Sequence, residues 1–515
     1  MTLAGALFAG VALAGAAPVP PLPAACEPTL LFPIEKAQLK IMDVARQLLG
    51  GPSRFVAVAP DGSRIGLAVV DIEDDNFVST LREYTRSDGR WTPRQLQKDR
   101  GAMIGGLRRR PDGAYSYGRV APDMARKTLV RGLYLLTPDG GEPTKLLDFE
   151  RLVDCVWIDA RRMHLFCERG KRERFVMFYG ADVGAQMMKH RWRSEIRADR
   201  PVDAAMAAVR HGAYASANGT VMRLPDPDGK PEPVLVSDFA VAAATPSGGC
   251  LATWYRAPGG DRVLCLVDPV ANTHTYVPTV RLAADRGTVC LNALFLGDGD
   301  TLALLLAAPD PLRTFWDSTL VLVSGGGDRA LTLPLARPCL GLHPLGDDRA
   351  ALLCYNGLWS ANAAGLMKAL AGAPVLKRPA DAFPARIGDT PGLATPVAAW
   401  KSYVLARRAG NLKAYLACVT GRLHETASAF TAGGPVAGLV LLQSARQVAY
   451  VGDEKAFAGL KPTVTPDGRA ALAVNAVARP SGAAVERVFT FERVGSEWKV
   501  SGVRSRRRPP EERSR

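Results

Sequence analysis

An aromatic stripe near the C-terminal end of the chain contains the first side chains that could bind or transform a ligand. Trp400, Tyr403 and Tyr415 recur at helical spacing, and His424 follows as the last of six histidines. Together they could line an apolar ligand pocket in which the histidine acts as a general base. The same spacing is more often that of a packed helix face, and a lone histidine is more often solvated, so both interpretations remain open.

Cysteines are the second chemically informative set, since the chain has nine of them. Three disulfides are predicted, namely Cys155–Cys167, Cys250–Cys265 and Cys339–Cys354. The first and third pairs are symmetric about predicted hairpin turns, which places two residues opposite each other across a ladder. Opposite Cα atoms lie roughly 4.5–5.5 Å apart, a span that a disulfide can bridge. Buried thiols are the alternative, because cysteine also packs as a small hydrophobic side chain.

Sequence motifs of known chemistry are missing. The chain has no Gly-x-Ser-x-Gly nucleophile elbow, no His-Glu-x-x-His helix and no phosphate-binding glycine loop. It also has no Cys-x-x-Cys pair and no zinc spacing. The sequence therefore predicts no catalytic residue, no metal site and no cofactor.

A repeat between Phe55 and Leu376 predicts the fold that must position any site. A period of about 37–50 residues with two hairpins per unit is what a four-stranded propeller blade requires. The tripeptide Pro-Asp-Gly closes first hairpins at residues 60–62 and 111–113, where proline presets the turn and glycine accepts positive φ. We expect a mainly β protein with a propeller of about seven blades over residues 51–376. Six or eight blades and a β-sandwich are the alternatives.

This recurrence of Pro-Asp-Gly after a first strand resembles the TolB-like and WD40-like propeller repeats. The resemblance covers roughly residues 50–380, and it implies a fold more strongly than it implies a function. Such propellers offer a central funnel and a flat face to proteins or ligands.

Beyond the repeat, residues 377–396 are rich in proline, alanine and glycine and predict a linker. Helices are then predicted over Val397–Arg408 and Leu412–Val419, followed by strands that begin with Val436–Leu442. Two helices before a curved antiparallel sheet, with the hairpin that ends at residues 497–500, resemble the NTF2-like (SnoaL-like) cone fold over residues 397–503. The resemblance implies an α+β domain with a small-molecule pocket or a dimer interface. A generic α+β domain and an eighth blade are the alternatives.

The N-terminus predicts export. Residues 3–17 are small and apolar, too short to span a bilayer but typical of a signal-peptide core, although no basic residue precedes them. We expect a signal peptide at 1–17, an N-terminal segment at 18–50, and a protein that is periplasmic, secreted or envelope-associated. A cytoplasmic interaction module with an uncleaved N-terminus is the alternative.

The formal net charge of +15 predicts contact with anionic surfaces. Residues 504–515 read as a basic, disordered tail in which Arg504, Arg506, Arg507 and Arg508 could contact an anionic envelope surface. Aromatic residues rarely alternate with the basic ones, so nucleic acid is not expected as a partner.

These patterns favour an exported, non-catalytic binding or scaffold protein whose protein or small-molecule ligand is unknown. The alternative is an enzyme, either a hydrolase or lyase in the propeller funnel or an isomerase in the cone. Acidic, histidine or tyrosine side chains clustered at one funnel mouth would favour the enzyme. A funnel lined by backbone and small side chains would favour binding.

Overall fold

A computed structural model describes most of the chain. The described residues are 20–49, 54–125, 127–169, 175–184, 188–197, 205–210, 212–225, 231–236, 238–257, 260–297, 299–308, 316–346, 348–376, 392–431, 436–451, 457, 459–479 and 481–507. The predicted signal peptide, at 1–17, and residues 377–391 of the predicted linker lie outside this range. The chain divides into two compact units. The first comprises Met1–Glu232, Phe239–Thr275 and Thr279–Val375, and the second comprises Pro233–Asp238, Tyr276–Pro278 and Leu376–Arg515.

The first twenty-eight described strands form seven four-stranded antiparallel sheets, numbered here in chain order. Sheets 1 to 3 contain β2–β5 (Val56–Val58, Arg64–Glu73, Asn76–Ser87, Arg90–Arg100), β6–β9 (Met103–Arg109, Tyr115–Asp123, Thr128–Leu136, Thr144–Asp148) and β10–β13 (Arg151–Trp157, Arg162–Arg169, Phe175–Val183, Met188–Arg197). Sheets 4 to 6 contain β14–β17 (Ala205–Val209, Gly212–Ala217, Thr220–Pro225, Glu232–Leu235), β18–β21 (Phe239–Ala244, Leu251–Arg256, Arg262–Asp268, Thr273–Leu282) and β22–β25 (Val289–Leu296, Thr301–Ala308, Asp317–Ser324, Ala330–Pro334). Sheet 7 contains β26–β28 (Cys339–Leu345, Arg349–Cys354, Gly357–Asn362) and β1 (Thr29–Phe32).

The seven sheets close into a ring. The first strand of each sheet contacts the first strand of the next, and β26 of sheet 7 contacts β2 of sheet 1. A closed circle of up-and-down four-stranded sheets around one axis is a β-propeller. Turn chemistry agrees with the sequence, because Gly62 and Gly113 of the Pro-Asp-Gly turns have φ values of 68° and 95°.

Sheet 7 is completed by a strand from the N-terminal part of the chain. Its outer strand does not come from the last residues of the repeat, near Leu376. The strand is β1, which pairs antiparallel with β28 through Thr29 opposite Ser360 and Leu30 opposite Trp359. Joining the N-terminal strand to the last sheet links the two ends of a ring that could otherwise open between its first and last sheets.

Two helices of this unit were not predicted from the sequence. Helix α1 (Lys36–Leu49) buries Leu39, Met42 and Leu49 on one stripe and contacts β3, β6 and β7. Helix α2 (Ala363–Ala371) follows β28 directly, and the Asn362 side chain accepts a hydrogen bond from the Ala364 N–H. Across the described residues, no helix is long and apolar enough to cross a membrane.

The cysteines form one of the three predicted pairs. Cys339 lies opposite Cys354 in the β26–β27 ladder, and a disulfide joins them. The hairpin is centred on Ala160, one residue before the midpoint of the predicted pair, so Cys155 lies opposite Leu165. A bulge between Leu152 and Asp154 then places Cys167 opposite Leu152. The third predicted pair fails in a similar way. Cys265 lies opposite Thr253, so it does not face Cys250, which precedes β19.

The second unit is an α+β domain. Its described elements are helices α3–α6 (Pro396–Arg408, Leu412–Cys418, Gly421–Thr431, Val436–Arg446) and strands β29–β33 (Val448–Tyr450, Thr463–Val464, Ala470–Ala478, Ala483–Val494, Glu497–Arg507). The sheet has the order β29-β31-β32-β33, with β30 paired to β31. Helix α3 packs on β31 and β33, and the core lies between helices and sheet.

Two boundary predictions in this unit are wrong. Val436–Leu442 was predicted as a strand but belongs to α6, since an uninterrupted apolar run does not by its period distinguish a strand from a helix. The tail was predicted as disordered from Arg504, but β33 runs to Arg507 and pairs with β32. Arg508 lies outside the described residues.

Replacing Gly357 with alanine is expected to loosen the closure of the ring. A Cβ at Gly357 would clash with Leu30 Cδ1 and with the carbonyl oxygen of Phe32, and the residue has φ 151°. We expect a loss of about 3 kcal/mol in the free energy of unfolding, as overpacking against backbone adds to the cost of positive φ. Urea unfolding measures this loss, and limited proteolysis should cut near β1.

The matched control for this substitution is Gly141→Ala. Gly141 has φ 103°, but a Cβ there would meet no atom within 4 Å. It carries the backbone cost alone, about 1–2 kcal/mol. Equal losses for the two variants, with β1 still resistant to protease, would show that contact with β1 does not hold the ring closed.

Candidate functional site

The centre of the ring contains a cavity of about 710 Å³. Every one of the seven sheets contributes residues to its lining from its first strand or from the residues beside that strand. The volume falls within the range of about 300–1,000 Å³ that small-molecule sites occupy. The cavity is therefore the candidate functional site of the first unit.

One wall of the cavity is made of small side chains. Strands β14 and β18 have the sequences AMAAV and FAVAAA, and Ala205, Ala208, Ala242 and Ala244 are among the lining residues. Alanine projects little beyond the backbone, so these two strands leave the centre of the ring open. We call this surface the alanine wall.

The arginine cluster is the second lining feature and consists of Arg54, Arg108 and Arg151 with the carboxylates Asp154 and Glu168. Arg108 donates two hydrogen bonds to Asp154, from Nε at 3.0 Å and from Nη2 at 2.7 Å. Arg54 Nη2 lies 2.9 Å from the same carboxylate, and Arg151 Nη1 lies 3.3 Å from Glu168. The Asp154 side chain is only 3% exposed, so one buried carboxylate holds two guanidinium groups in place.

Bulges in the first strands help to orient these side chains. The β6–β7 register shifts between Gly105 and Arg108, and the β10–β11 register shifts between Leu152 and Asp154. A bulge places two residues against one and re-aims the side chain beside it. The β18, β22 and β26 ladders are also bulged, so this irregularity recurs on the strands that surround the cavity.

His343 from β26 completes this side of the cavity. It is 5% exposed and lines the cavity, and burial together with the positive charges of Arg54 and Arg108 lowers its pKa to about 3. Burial and the charge of Arg108 also lower the pKa of Arg54, to about 10. These pKa values leave His343 neutral and Arg54 charged at neutral pH.

The chemistry available in the cavity favours binding over catalysis. Asp154 already accepts bonds from two arginines and from the Cys155 N–H. The low pKa of His343 makes it a weak base at neutral pH. Burial raises the pKa of the lining thiol Cys290 to about 12, so that it remains protonated and weakly nucleophilic.

The residues predicted from the sequence to line a pocket lie in the second unit and pack together there. Trp400 is fully buried, with ring centroids 5.5 Å from Tyr450 and 5.4 Å from Phe457. Tyr403 and Tyr415 are also buried, with their centroids 5.4 Å apart. These three rings fill the core, which is the more frequent of the two interpretations.

His424 does not join these aromatic rings. It is exposed on α5, where its Nδ1 lies 3.4 Å from Ser428 Oγ. Among the described residues, no three histidine, cysteine or acidic side chains are grouped as a metal site would require.

The cavity residues were missed by the sequence analysis, although a signal for them exists. Arg54, Arg108, Asp154 and His343 were not predicted as site residues. Arg54 precedes β2, Arg108 lies in β6 and Arg151 begins β10, so each lies in or just before the first strand of its repeat. A search of the first strand of each repeat, and of the residues beside it, would have found these three arginines.

The buried, neutral state of His343 predicts sensitivity to acid. Its folded pKa, about 3, lies below its ordinary value of about 6.5, so the unfolded chain binds a proton first as the pH falls. Its contribution to stability is complete above about pH 6.5 and is lost as the pH falls toward 3. Between pH 7 and pH 5 this amounts to about 2 kcal/mol.

Urea unfolding of the wild type and of His343→Leu at pH 7 and pH 5 measures this effect. The leucine variant should lose about 2 kcal/mol less than the wild type over that interval. Equal losses would mean that His343 takes up its proton in the folded state as readily as in the unfolded chain.

Comparison with known proteins does not identify a ligand or an activity for this cavity. No protein-family model matches the chain, and no curated protein matches it. Among solved structures, the β-propeller domain of the Trilobed protease from Pyrococcus furiosus aligns with 60% of this chain and 96% of its own, at 12% identity and a TM-score of 0.40. TolB from Acinetobacter baumannii aligns with 58% of this chain and 69% of its own, at 13% identity and a TM-score of 0.35. Acylaminoacyl peptidase from Pyrococcus horikoshii aligns with 62% of this chain and 50% of its own, at 9% identity and a TM-score of 0.40. At these values the likeness supports no inference about what this chain does.

Proposed function

We propose that this chain is an exported, non-catalytic binding protein that takes a small ligand into the centre of a seven-bladed propeller. The observation that carries the proposal is the central cavity of about 710 Å³, to which all seven sheets contribute. Its alanine wall leaves room for a ligand, and its arginine cluster supplies polar groups that could orient one.

The state of the titratable groups supports binding without catalysis. General acid–base chemistry works best with a pKa near the operating pH, and nucleophilic catalysis needs an activated group. The pKa values of His343 and Cys290 are shifted away from neutrality, to about 3 and about 12. Asp154 is held between Arg54 and Arg108.

We propose an NTF2-like fold for the second unit. Helices α3–α6 followed by the antiparallel sheet of β29–β33 support this assignment. Since Trp400, Tyr403 and Tyr415 fill the core, a dimer contact is a better role for this domain than a ligand pocket. Exposed Arg504 and Arg506 on β33 support contact with an anionic envelope surface.

A neutral, apolar fluorophore tests whether the cavity takes a ligand. N-phenyl-1-naphthylamine gains fluorescence when it leaves water, and we expect saturable binding to the full chain. Ala208 is exposed within the cavity lining, so Ala208→Trp should fill the space and weaken binding at least tenfold, about 1.4 kcal/mol. Ala271→Trp is the matched control, because Ala271 is exposed on a turn and is not among the lining residues. Binding that is absent in the wild type, or equally strong in both variants, would overturn the proposed function.

Export is tested by the mass of the mature chain with and without reductant. A chain recovered from the periplasm or medium that begins at the end of the predicted signal peptide, and gains two hydrogen masses on reduction, supports export and the Cys339–Cys354 disulfide. The disulfide closes a loop with a sequence separation of 15, and its reduction should cost about 3 kcal/mol of stability. A mass that begins at Met1, with no change on reduction, would contradict both.

A further inference from the structure

Two buried polar atoms beside the cavity have no hydrogen-bond partner among the described residues. They are Arg54 Nε and His343 Nε2, and both residues line the cavity. Buried polar groups are nearly always paired, so each unpaired atom needs an explanation. Both atoms are shielded by neighbouring protein atoms, so a ligand in the cavity would pair with them only after the Arg54 and His343 side chains adjust toward it.

The charges on this side of the cavity are not balanced. Arg54 and Arg108 share the single carboxylate Asp154, while Arg151 is matched by Glu168. The arginine cluster therefore carries one net positive charge in a partly buried setting. A charge held away from water is stabilised by an opposite charge nearby, and here the protein supplies one carboxylate fewer than its guanidinium groups require.

We propose that the cavity binds a small molecule that carries a single carboxylate on an apolar body. The carboxylate lies against Arg54, Arg108 and His343, and the apolar body lies against the alanine wall. This assignment rests on the proposed function, since it names the ligand class of the same cavity.

The geometry selects a carboxylate for two reasons. Guanidinium forks match planar carboxylates, and Arg108 already holds Asp154 in this way with two bonds. One net positive charge is balanced by a monoanion, whereas a phosphate monoester carries close to two negative charges at neutral pH. Burial is the main cause of the depressed pKa values of Arg54 and His343, and the positive charge of the neighbouring arginines adds to it. An anion would relieve this second contribution.

Three matched probes test the ligand class on the full chain. They are 4-phenylbutyrate, its neutral amide 4-phenylbutanamide, and 4-phenylbutyl phosphate, each used to displace N-phenyl-1-naphthylamine. We expect the carboxylate to bind at least about tenfold more tightly than the amide, which is the range for hydrogen bonds to a charged group. We also expect it to bind more tightly than the phosphate.

The outcomes separate this inference from the function on which it rests. If the fluorophore binds but the acid and the amide displace it equally, the carboxylate inference is overturned and the cavity remains a binding site. If the phosphate binds most tightly, the assignment of a monoanion is overturned. If neither the fluorophore nor any of the probes binds, the proposed function fails as well.

A substitution at His343 localises the carboxylate. His343→Leu removes one hydrogen-bond donor and puts an apolar side chain of similar size in its place. The acid should therefore bind several-fold more weakly, while the affinity for the amide is unchanged. Arg108→Gln should abolish the preference for the acid, and circular dichroism checks that this variant folds. An unchanged acid-to-amide ratio in folded samples of both variants would place the carboxylate elsewhere and overturn the inference.

Discussion

Replacing Asp154 with alanine is expected to lower the free energy of unfolding of the propeller by about 3–5 kcal/mol, because removing one partner of a buried ion pair leaves the other charge uncompensated. The Asp154 side chain is 3% exposed and holds both Arg54 and Arg108. Its loss would leave two guanidinium groups facing each other with no carboxylate between them. Urea unfolding of the wild type and the variant measures the difference.

The matched control is Asp148→Ala. Asp148 is 66% exposed and pairs with Lys145 at 2.6 Å, three residues earlier on the same strand. Exposed pairs of this kind contribute about 0–1 kcal/mol, so the control should change stability by no more than that. A loss of under about 1 kcal/mol for Asp154→Ala would show that Arg54 and Arg108 remain well solvated, which would also weaken the case for an anion site.

Replacing Trp400 with alanine is expected to destabilise the second unit by about 3–5 kcal/mol, the usual cost of removing a buried aromatic ring. Trp400 is fully buried, and its ring lies against Tyr450, Phe457 and Phe489. The indole occupies the middle of this aromatic core, so the neighbouring rings could close the space only in part. Hydrogen exchange should be faster in β31 and β32, which border that core.

His424→Ala serves as the control within the same domain. His424 is exposed on α5, and surface substitutions of this kind usually change stability by less than about 0.5 kcal/mol. If Trp400 lined an open pocket instead of a packed core, its replacement would cost far less than 3 kcal/mol. A similar small loss for both variants would therefore restore the pocket interpretation of the aromatic stripe.

Local chemistry explains why much of the fold could be predicted. A Pro-Asp-Gly turn depends on the φ preferences of its own residues, so the hairpins at residues 60–62 and 111–113 are visible without any tertiary information. Helix α3 is similar, because Thr395 caps it and Pro396 begins it. The Cys339–Cys354 pair followed from the symmetry of one hairpin.

Predictions failed where a contact spans the chain or where the centre of a hairpin lies one residue from its predicted position. Strand β1 pairs with β28 more than 300 residues away, and no local pattern marks either strand as the partner of the other. The Cys155–Cys167 prediction required a hairpin centred on Arg161, but the ladder is centred on Ala160, so Cys155 lies opposite Leu165. The strand predicted at Val436–Leu442 is a helix, because four consecutive apolar residues fit a strand and a helix equally well.

The sequence by itself determined the repeat, because each hairpin is encoded by turn residues and apolar runs a few positions apart. It could not determine the site, because Arg54, Arg108, Asp154 and His343 come from four separate sheets and are individually unremarkable. Only closure of the ring brings them to one cavity and leaves Asp154 between two arginines. Burial and shared charge arise from that closure, and they give these residues the pKa values and the unmet hydrogen bonds on which the proposed ligand depends.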